Sequence, residues 1–259
     1  MILYFYITLT TESEDMAESD LTIRTFIIYA IGTLIALKVI SVLWSFCHRR
    51  VFACYMTRLI SPGLEELLAE FKREIFEDLP DVEKRLKTDG LTILEIGVGS
   101  GVNFKFYPKG STVYPLDPNP HFNQYLEENI EKNKHVNVKP FVECYGEDMT
   151  AQVADKSIDV VVSTMTLCSV LDIAAVLREV RRVLKSGGKF YFIEHVADTK
   201  GTWLSVFQAI ATQVYKRIAD NCHWNRKTWL YIDRAGFTSV QHRKQRKAIH
   251  ILLYGSATK

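Results

Sequence analysis

From Leu91 onward, short apolar runs alternate with stretches whose apolar residues recur at helical spacing, and no other feature restricts the fold as tightly. TILEIG, TVYPLD, KPFVEC, IDVVVSTM and KFYFIEHV read as strands, followed by a closing pair, TSVQHRK and AIHILLYG. HFNQYLEENIEKN and DIAAVLREVRRVLK read as helices between them. Alternation of this kind predicts an α/β protein with a parallel sheet and helices on both faces. Ligands of such sheets bind outside the carboxyl ends of the strands, where the strand order reverses.

The stretch LEIGVGSG lies at the end of the first of these strands and places Gly97, Gly99 and Gly101 at alternate positions, with Glu95 two residues ahead. A dinucleotide fingerprint spaces its glycines G-x-G-x-x-G, so this loop departs from the nicotinamide pattern by one residue. An acid at the loop mouth repels a pyrophosphate and suits a cationic ligand, such as an amino-acid moiety carrying an ammonium and a sulfonium. S-adenosyl-L-methionine has that chemistry. Asp117, 22 residues on (117 minus 95), ends the second strand, where an acid can accept hydrogen bonds from ribose hydroxyls. Asp148 in GEDM is expected to take the adenine amino group, with Met149 against the ring. Each acid alone is as readily a turn or cap residue; their order at successive strand ends favours the cofactor.

These motifs together give a resemblance. Over roughly Leu91 to Val196 the chain resembles the class I S-adenosylmethionine-dependent methyltransferases: LEIGVGSG, LDPNP, GEDM, DVVVSTMTLCSV and LKSGGKFYFIEHV stand in the order of that family's motifs. It is closer still to the methyltransferase-like 7 group of membrane-bound thiol S-methyltransferases in NFKFYPKG, LDPNPHFNQYLEEN, GEDM, LCSV and FYFIEHV. Val98 stands where that group usually has cysteine, and the segment before Met16 is additional. The resemblance implies a Rossmann-like doubly wound sheet of seven strands with the last antiparallel. It also implies methyl transfer to the sulfur of a small hydrophobic thiol, at the endoplasmic reticulum or lipid droplet.

A thiol with a reference pKa near 8.5 is already a few per cent thiolate at neutral pH, so no strong catalytic triad need appear. The acceptor pocket is expected at the ends of the fourth and fifth strands, around Thr166, Cys168 and Ser169 and around Glu194 and His195. His195 is the candidate general base, or else an ordinary hydrogen-bonded histidine. Cys168 reads as a packed thiol rather than a methylated intermediate. Trp203 and Phe207, with Trp224 and Trp229, either wall an apolar pocket or pack as core; Asp198 and His223 are weaker candidates. The rival readings are a lipid or quinone O- or C-methyltransferase, and a cofactor-binding membrane scaffold without turnover.

Ahead of this domain, Phe26 to Cys47 reads FIIYAIGTLIALKVISVLWSFC, about the length that crosses a bilayer's hydrocarbon core. Lys38 within it costs about 2.5–3.5 kcal/mol on insertion scales, which leaves a shallow insertion with Lys38 snorkelling as the rival to a full span. Acidic residues from Glu12 to Asp20 precede the run, where a signal peptide would be basic. His48, Arg49, Arg50 and Arg58 follow it, which places the remainder in the cytoplasm. Residues 1–60 are thus expected to form a leader and anchor, and 61–259 the catalytic domain. The segment 61–86 reads as an amphipathic helix between the two, and Met16 as an alternative start. The net charge of +2, with scattered basic residues, gives no footprint for nucleic acid. Five cysteines without a C-x-x-C pair read as reduced, unligated thiols, and no metal is expected.

Overall fold

The computed structural model describes the backbone of residues 2–259 and the side chains of residues 24–44 and 47–259. The acidic side chains from Glu12 to Asp20, and the alternative start at Met16, lie outside the described side chains. The chain divides into two compact units, Met1–His48 and Arg49–Lys259, ahead of the boundary expected at Ser61. Helix α1 runs Ile2–Tyr55. In the first unit, Arg24–Trp44 is long and apolar enough to cross a membrane by length and composition, with a mean hydropathy of 2.3 and none of it buried.

In the second unit a π-helical turn, Met56–Ile60, precedes α2 (Ser61–Phe76) and α3 (Leu79–Leu86). The single amphipathic helix expected over 61–86 is therefore two, parted at Glu77 and Asp78, with Pro80 opening the second as a proline is suited to do. Neither is a free linker. Leu68, Phe71, Ile75 and Phe76 of α2 and Leu79 and Val82 of α3 are buried in the core.

Seven strands follow: β1 (Thr92–Ile96), β2 (Thr112–Leu116), β3 (Asn137–Val138), β4 (Ile158–Thr164), β5 (Leu184–His195), β6 (Ser239–Lys247) and β7 (His250–Thr258). Their order is β3-β2-β1-β4-β5-β7-β6, with β7 antiparallel to both neighbours and the other pairings parallel. Strand order reverses beside β1, and the cavity described below opens at the carboxyl end of that strand. Helices α4 (Asn123–Lys132), α5 (Ile173–Val183), α6 (Trp203–Ile218) and α7 (Thr228–Arg234) complete the domain.

Alternation along the strands makes two cores. Leu94, Ile96, Val161, Phe190 and Phe192 face one way and bury α5 through Val176, Leu177, Val180 and Val183. Ile93, Val113, Val160, Val162 and Tyr191 face the other way and bury α2, α3 and Leu126 of α4. Helix α5 starts cleanly because Asp172 accepts from Ala174 N and Ala175 N at 2.8 and 3.1 Å. One strand differs from expectation. The expected third strand is KPFVEC, but ladder pairing covers Asn137–Val138; Lys139 N still donates to Val113 O, and after a one-residue slip Val142 N donates to Pro115 O at the Leu116–Val142 bridge.

Candidate functional site

At the carboxyl ends of β1, β2 and β4 lies a cavity of about 330 Å³, within the range of small-molecule sites. The glycine loop forms its floor. Gly97 has φ +68°, and a Cβ there would lie 2.2 Å from Thr166 Oγ1, so the loop after β4 closes on this one only because it lacks a side chain. At Gly99, also left-handed, a Cβ would meet nothing nearer than Phe122 at 4.0 Å. Its backbone thus lies bare on the cavity wall. The place beside Gly101 is filled by Leu126 and Phe104.

Asp117 ends β2 as expected and lines the cavity. Its carboxylate accepts from Asn119 N at 2.9 Å and Gly99 N at 3.1 Å, which ties the acid to the glycine loop. Burial raises its pKa to about 6, against the pull of those two N–H groups. Glu95 lies beneath the lining rather than in it: its oxygens accept from Asn103 Nδ2 at 2.7 Å and Tyr107 Oη at 2.6 Å. Burial raises it to about 7, offset by the Tyr107 and Asn103 hydrogen bonds and by the charge of Lys72. It can act on a bound cation as a buried charge, not as a direct hydrogen-bond partner.

The third acid is displaced by one residue. Asp148 is exposed and turns its carboxylate onto Thr150 N and Oγ1, while Met149 is fully buried in the core, its N–H bound to Glu179. Neither lines the cavity. Glu147 does, with Tyr145 and Gly146, and its Oε1 accepts from Leu171 N at 2.7 Å. A turn decides which of two adjacent acids faces inward, so sequence order alone could not separate them.

The expected acceptor residues are brought together only in part. Thr166 and Ser169 line the cavity; Cys168, between them in sequence, is fully buried behind its wall. His195 is buried with Nε2 on His250 Nδ1 at 2.8 Å and its ring stacked on Trp224. Burial first, then His250, lowers its pKa to about 3, so it stays neutral and lies outside the cavity lining. That is the arrangement of a packed histidine, not of a base poised at a substrate. Trp203 and Phe207 are on α6 and are 62% and 38% exposed, outside the cavity wall. The face of α6 that is buried carries Leu204, Gln208, Ala211 and Thr212 instead. Trp224 is core and Trp229 packs against it. Asp198 caps the approach to α6 through Thr202, and His223 is held by Asn221 O and Arg226.

Lys72 is a further cavity residue that sequence reasoning missed. Lys72 stands on the buried face of α2, four residues after Leu68 and beside Phe71, with its side chain only 1% exposed. It pairs with Glu65, and both line the cavity together with Leu64 and Leu68. Burial lowers its pKa, against the pull of Glu65 and Glu95. A lysine in phase with the apolar residues of a helix was the available signal. Phe52, Met56, Phe122, Met165 and Val170 complete an apolar rim.

The groups present fit S-adenosylmethionine: a bare glycine backbone, an inward carboxylate with lone pairs to spare for a diol, and a buried acid beneath the floor for a cation. Comparison with known proteins points the same way. Residues 94–192 match the family described as "Methyltransferase domain". The chain is 40% identical over 199 residues to thiol S-methyltransferase TMT1A of Homo sapiens, covering 77% of this chain and 80% of that protein. It is 39% identical over 198 residues to thiol S-methyltransferase TMT1B of Rattus norvegicus, covering 76% and 80%. In fold it is similar to a SAM-dependent methyltransferase of Thermotoga maritima, with a TM-score of 0.50, 18% identity, and 82% and 100% of the two chains covered.

Proposed function

Because the chain belongs to the thiol S-methyltransferase family of methyltransferases, we propose that it methylates the sulfur of small hydrophobic thiols, with S-adenosylmethionine held over the glycine loop. The observation that carries the acceptor side is Lys72, a desolvated amine paired with Glu65 in the wall that also carries Leu64, Leu68, Phe52 and Met56. When bound, S-adenosylmethionine supplies an electrophilic methyl group on a sulfonium. The chain does the rest by binding and by charge. Asp117 holds the ribose, Glu147 the edge near Leu171, and Glu95 favours the cation from below. Leu64, Leu68, Phe52 and Met56 exclude water and suit an alkyl group. Lys72 Nζ, an ammonium paired with Glu65, favours the thiolate of an acceptor beside it by its charge, the thiol proton leaving to solvent.

The apolar stretch Arg24–Trp44 supports a membrane anchor in contact with lipid, and the basic residues after it support a domain facing the cytoplasm, at the endoplasmic reticulum or lipid droplet. The test uses membranes containing the expressed protein, with label followed from the cofactor's methyl group into a small alkyl thiol. Transfer that is lost in Asp117→Ala is expected. Intact cofactor binding with no transfer to any thiol would move the reading to a lipid or quinone acceptor, or to a scaffold without turnover.

A further inference from the structure

Behind the acceptor wall, three segments far apart in sequence bring two thiols and an imidazole together. Cys168 follows β4, His195 ends β5, and Cys222 follows α6. Their ligand-capable atoms all lie within 4.8 Å of one another, and the two Sγ atoms are 3.5 Å apart. His195 Nε2 is engaged by His250, while Nδ1 is buried with no hydrogen-bond partner. A buried polar atom is rarely left without a partner, and this one lies beside two thiols.

We propose that Cys168, Cys222 and His195 form a site for a thiophilic metal ion of the zinc type, bound as two thiolates and one imidazole. An ion about 2.3 Å from sulfur and about 2.0–2.1 Å from nitrogen sets its ligands roughly 3.5–4 Å apart, so the sulfurs already stand at the right separation and the imidazole needs to approach them by up to about 1.3 Å. Two thiolates neutralise a divalent ion, and both thiol protons leave to solvent as it binds. Donation of the Nε2 hydrogen to His250 leaves the Nδ1 lone pair for the metal, the usual support for a ligating histidine. Arg226 already ties the same loop down through Leu167 O and Val170 O at 2.9 and 2.6 Å. The ion would brace the cavity from behind, because Ser169 and Asn221, each next in sequence to a ligating cysteine, line it and are joined by Asn221 Nδ2 to Ser169 O at 2.8 Å.

The experiment titrates the full-length, detergent-solubilised, reduced protein with Co²⁺ and then displaces it with Zn²⁺. One equivalent is expected, with thiolate-to-cobalt charge-transfer absorption in the near ultraviolet. Cys222→Ser should weaken binding by at least about 100-fold, beyond what loss of an outer-shell partner does. Cys144→Ser, at a half-buried thiol elsewhere, should leave it unchanged. In the unaltered protein, bound Zn²⁺ should also slow alkylation of Cys222 at least tenfold, a readout that needs no variant to fold. No thiolate band, equal affinity in Cys222→Ser, or equal alkylation rates would overturn the site. So would ready formation of a Cys168–Cys222 disulfide, seen as a loss of two hydrogens in mass on mild oxidation, in protein that binds no cobalt.

Discussion

The two sides of the cavity are built on different plans. On the β1–β2 side, the glycine loop and Asp117 come from one continuous stretch, Gly97 to Asp117, and act through backbone conformation and a carboxylate held by backbone N–H groups. On the acceptor side, Lys72 from α2, Phe52 and Met56 from before it, and Met165 and Val170 from after β4 meet only through tertiary packing. The first plan fixes a ligand whose shape never varies. The second sets an apolar volume with one titratable amine, which selects a chemical class rather than one molecule. If this division is real, changes on the two sides should separate into effects on cofactor affinity and effects on turnover.

The largest effect is expected for Lys72→Met. Turnover with an alkyl thiol at neutral pH should fall by about 100-fold, as for an acceptor thiol whose pKa rises by about two units when the charge beside it is lost, with a much smaller change in cofactor affinity by calorimetry. The deficit should shrink as pH approaches the thiol's own pKa near 8.5, because the thiolate then forms unaided. A deficit independent of pH would break the assignment of Lys72 as the charge that favours the thiolate. Next is Asp117→Ala, which removes charge-assisted hydrogen bonds to the ribose and the partner of Gly99 N. It should cost about 2 kcal/mol, roughly thirtyfold in cofactor affinity. Glu147→Gln should weaken the cofactor by about threefold to tenfold, whereas Asp148→Asn should change it by under about twofold, since only the first of the two faces the cavity. Equal losses from both would return the adenine contact to Asp148.

The smallest effect is in the proton balance. Glu95 and Asp117 titrate near 7 and 6 in the folded protein, above their ordinary values of 4.5 and 3.8. A cationic ligand and a diol both favour the ionised acids. Cofactor binding should therefore release protons between about pH 6 and 7, and affinity should rise through that window and level off above it. Stability of the ligand-free protein should move the other way. The contribution of these raised carboxyls is complete below their unfolded values and lost as pH rises through 6 and 7. Calorimetry in buffers of different ionisation enthalpy checks the first trend, and thermal unfolding against pH the second. Binding without proton release would show that the carboxylates are not coupled to the ligand.

The same contrast explains what the sequence made legible. Strand alternation, the glycine spacing and Asp117 could be read because each is a local pattern with a local cause. The third strand is displaced because the chain slips by one residue between Lys139 and Val142, and Asp148 is expected at a place where a turn presents Glu147 instead. His195, Trp203 and Phe207 were assigned to the acceptor pocket on position alone. Which face of α6 is covered, and what stacks on His195, are decided by contacts outside those elements, Trp224 against α6 and Trp224 and His250 against His195. Lys72 left a trace in helical phase, but it reads as functional only once α2 is known to lie against the cavity.

The place of β7 also has a consequence in time. It follows β6 in the chain yet lies between β5 and β6, so it is the strand through which both become part of one sheet. During synthesis every element of the cofactor floor emerges from the ribosome well before His250. Until His250–Thr258 follows, β5 presents a bare edge rich in Phe190, Tyr191, Phe192 and Ile193, and β6 lacks its partner strand. The nascent domain therefore passes through an interval in which its ligand-binding half is complete and its sheet is open, the interval in which a chaperone would matter most.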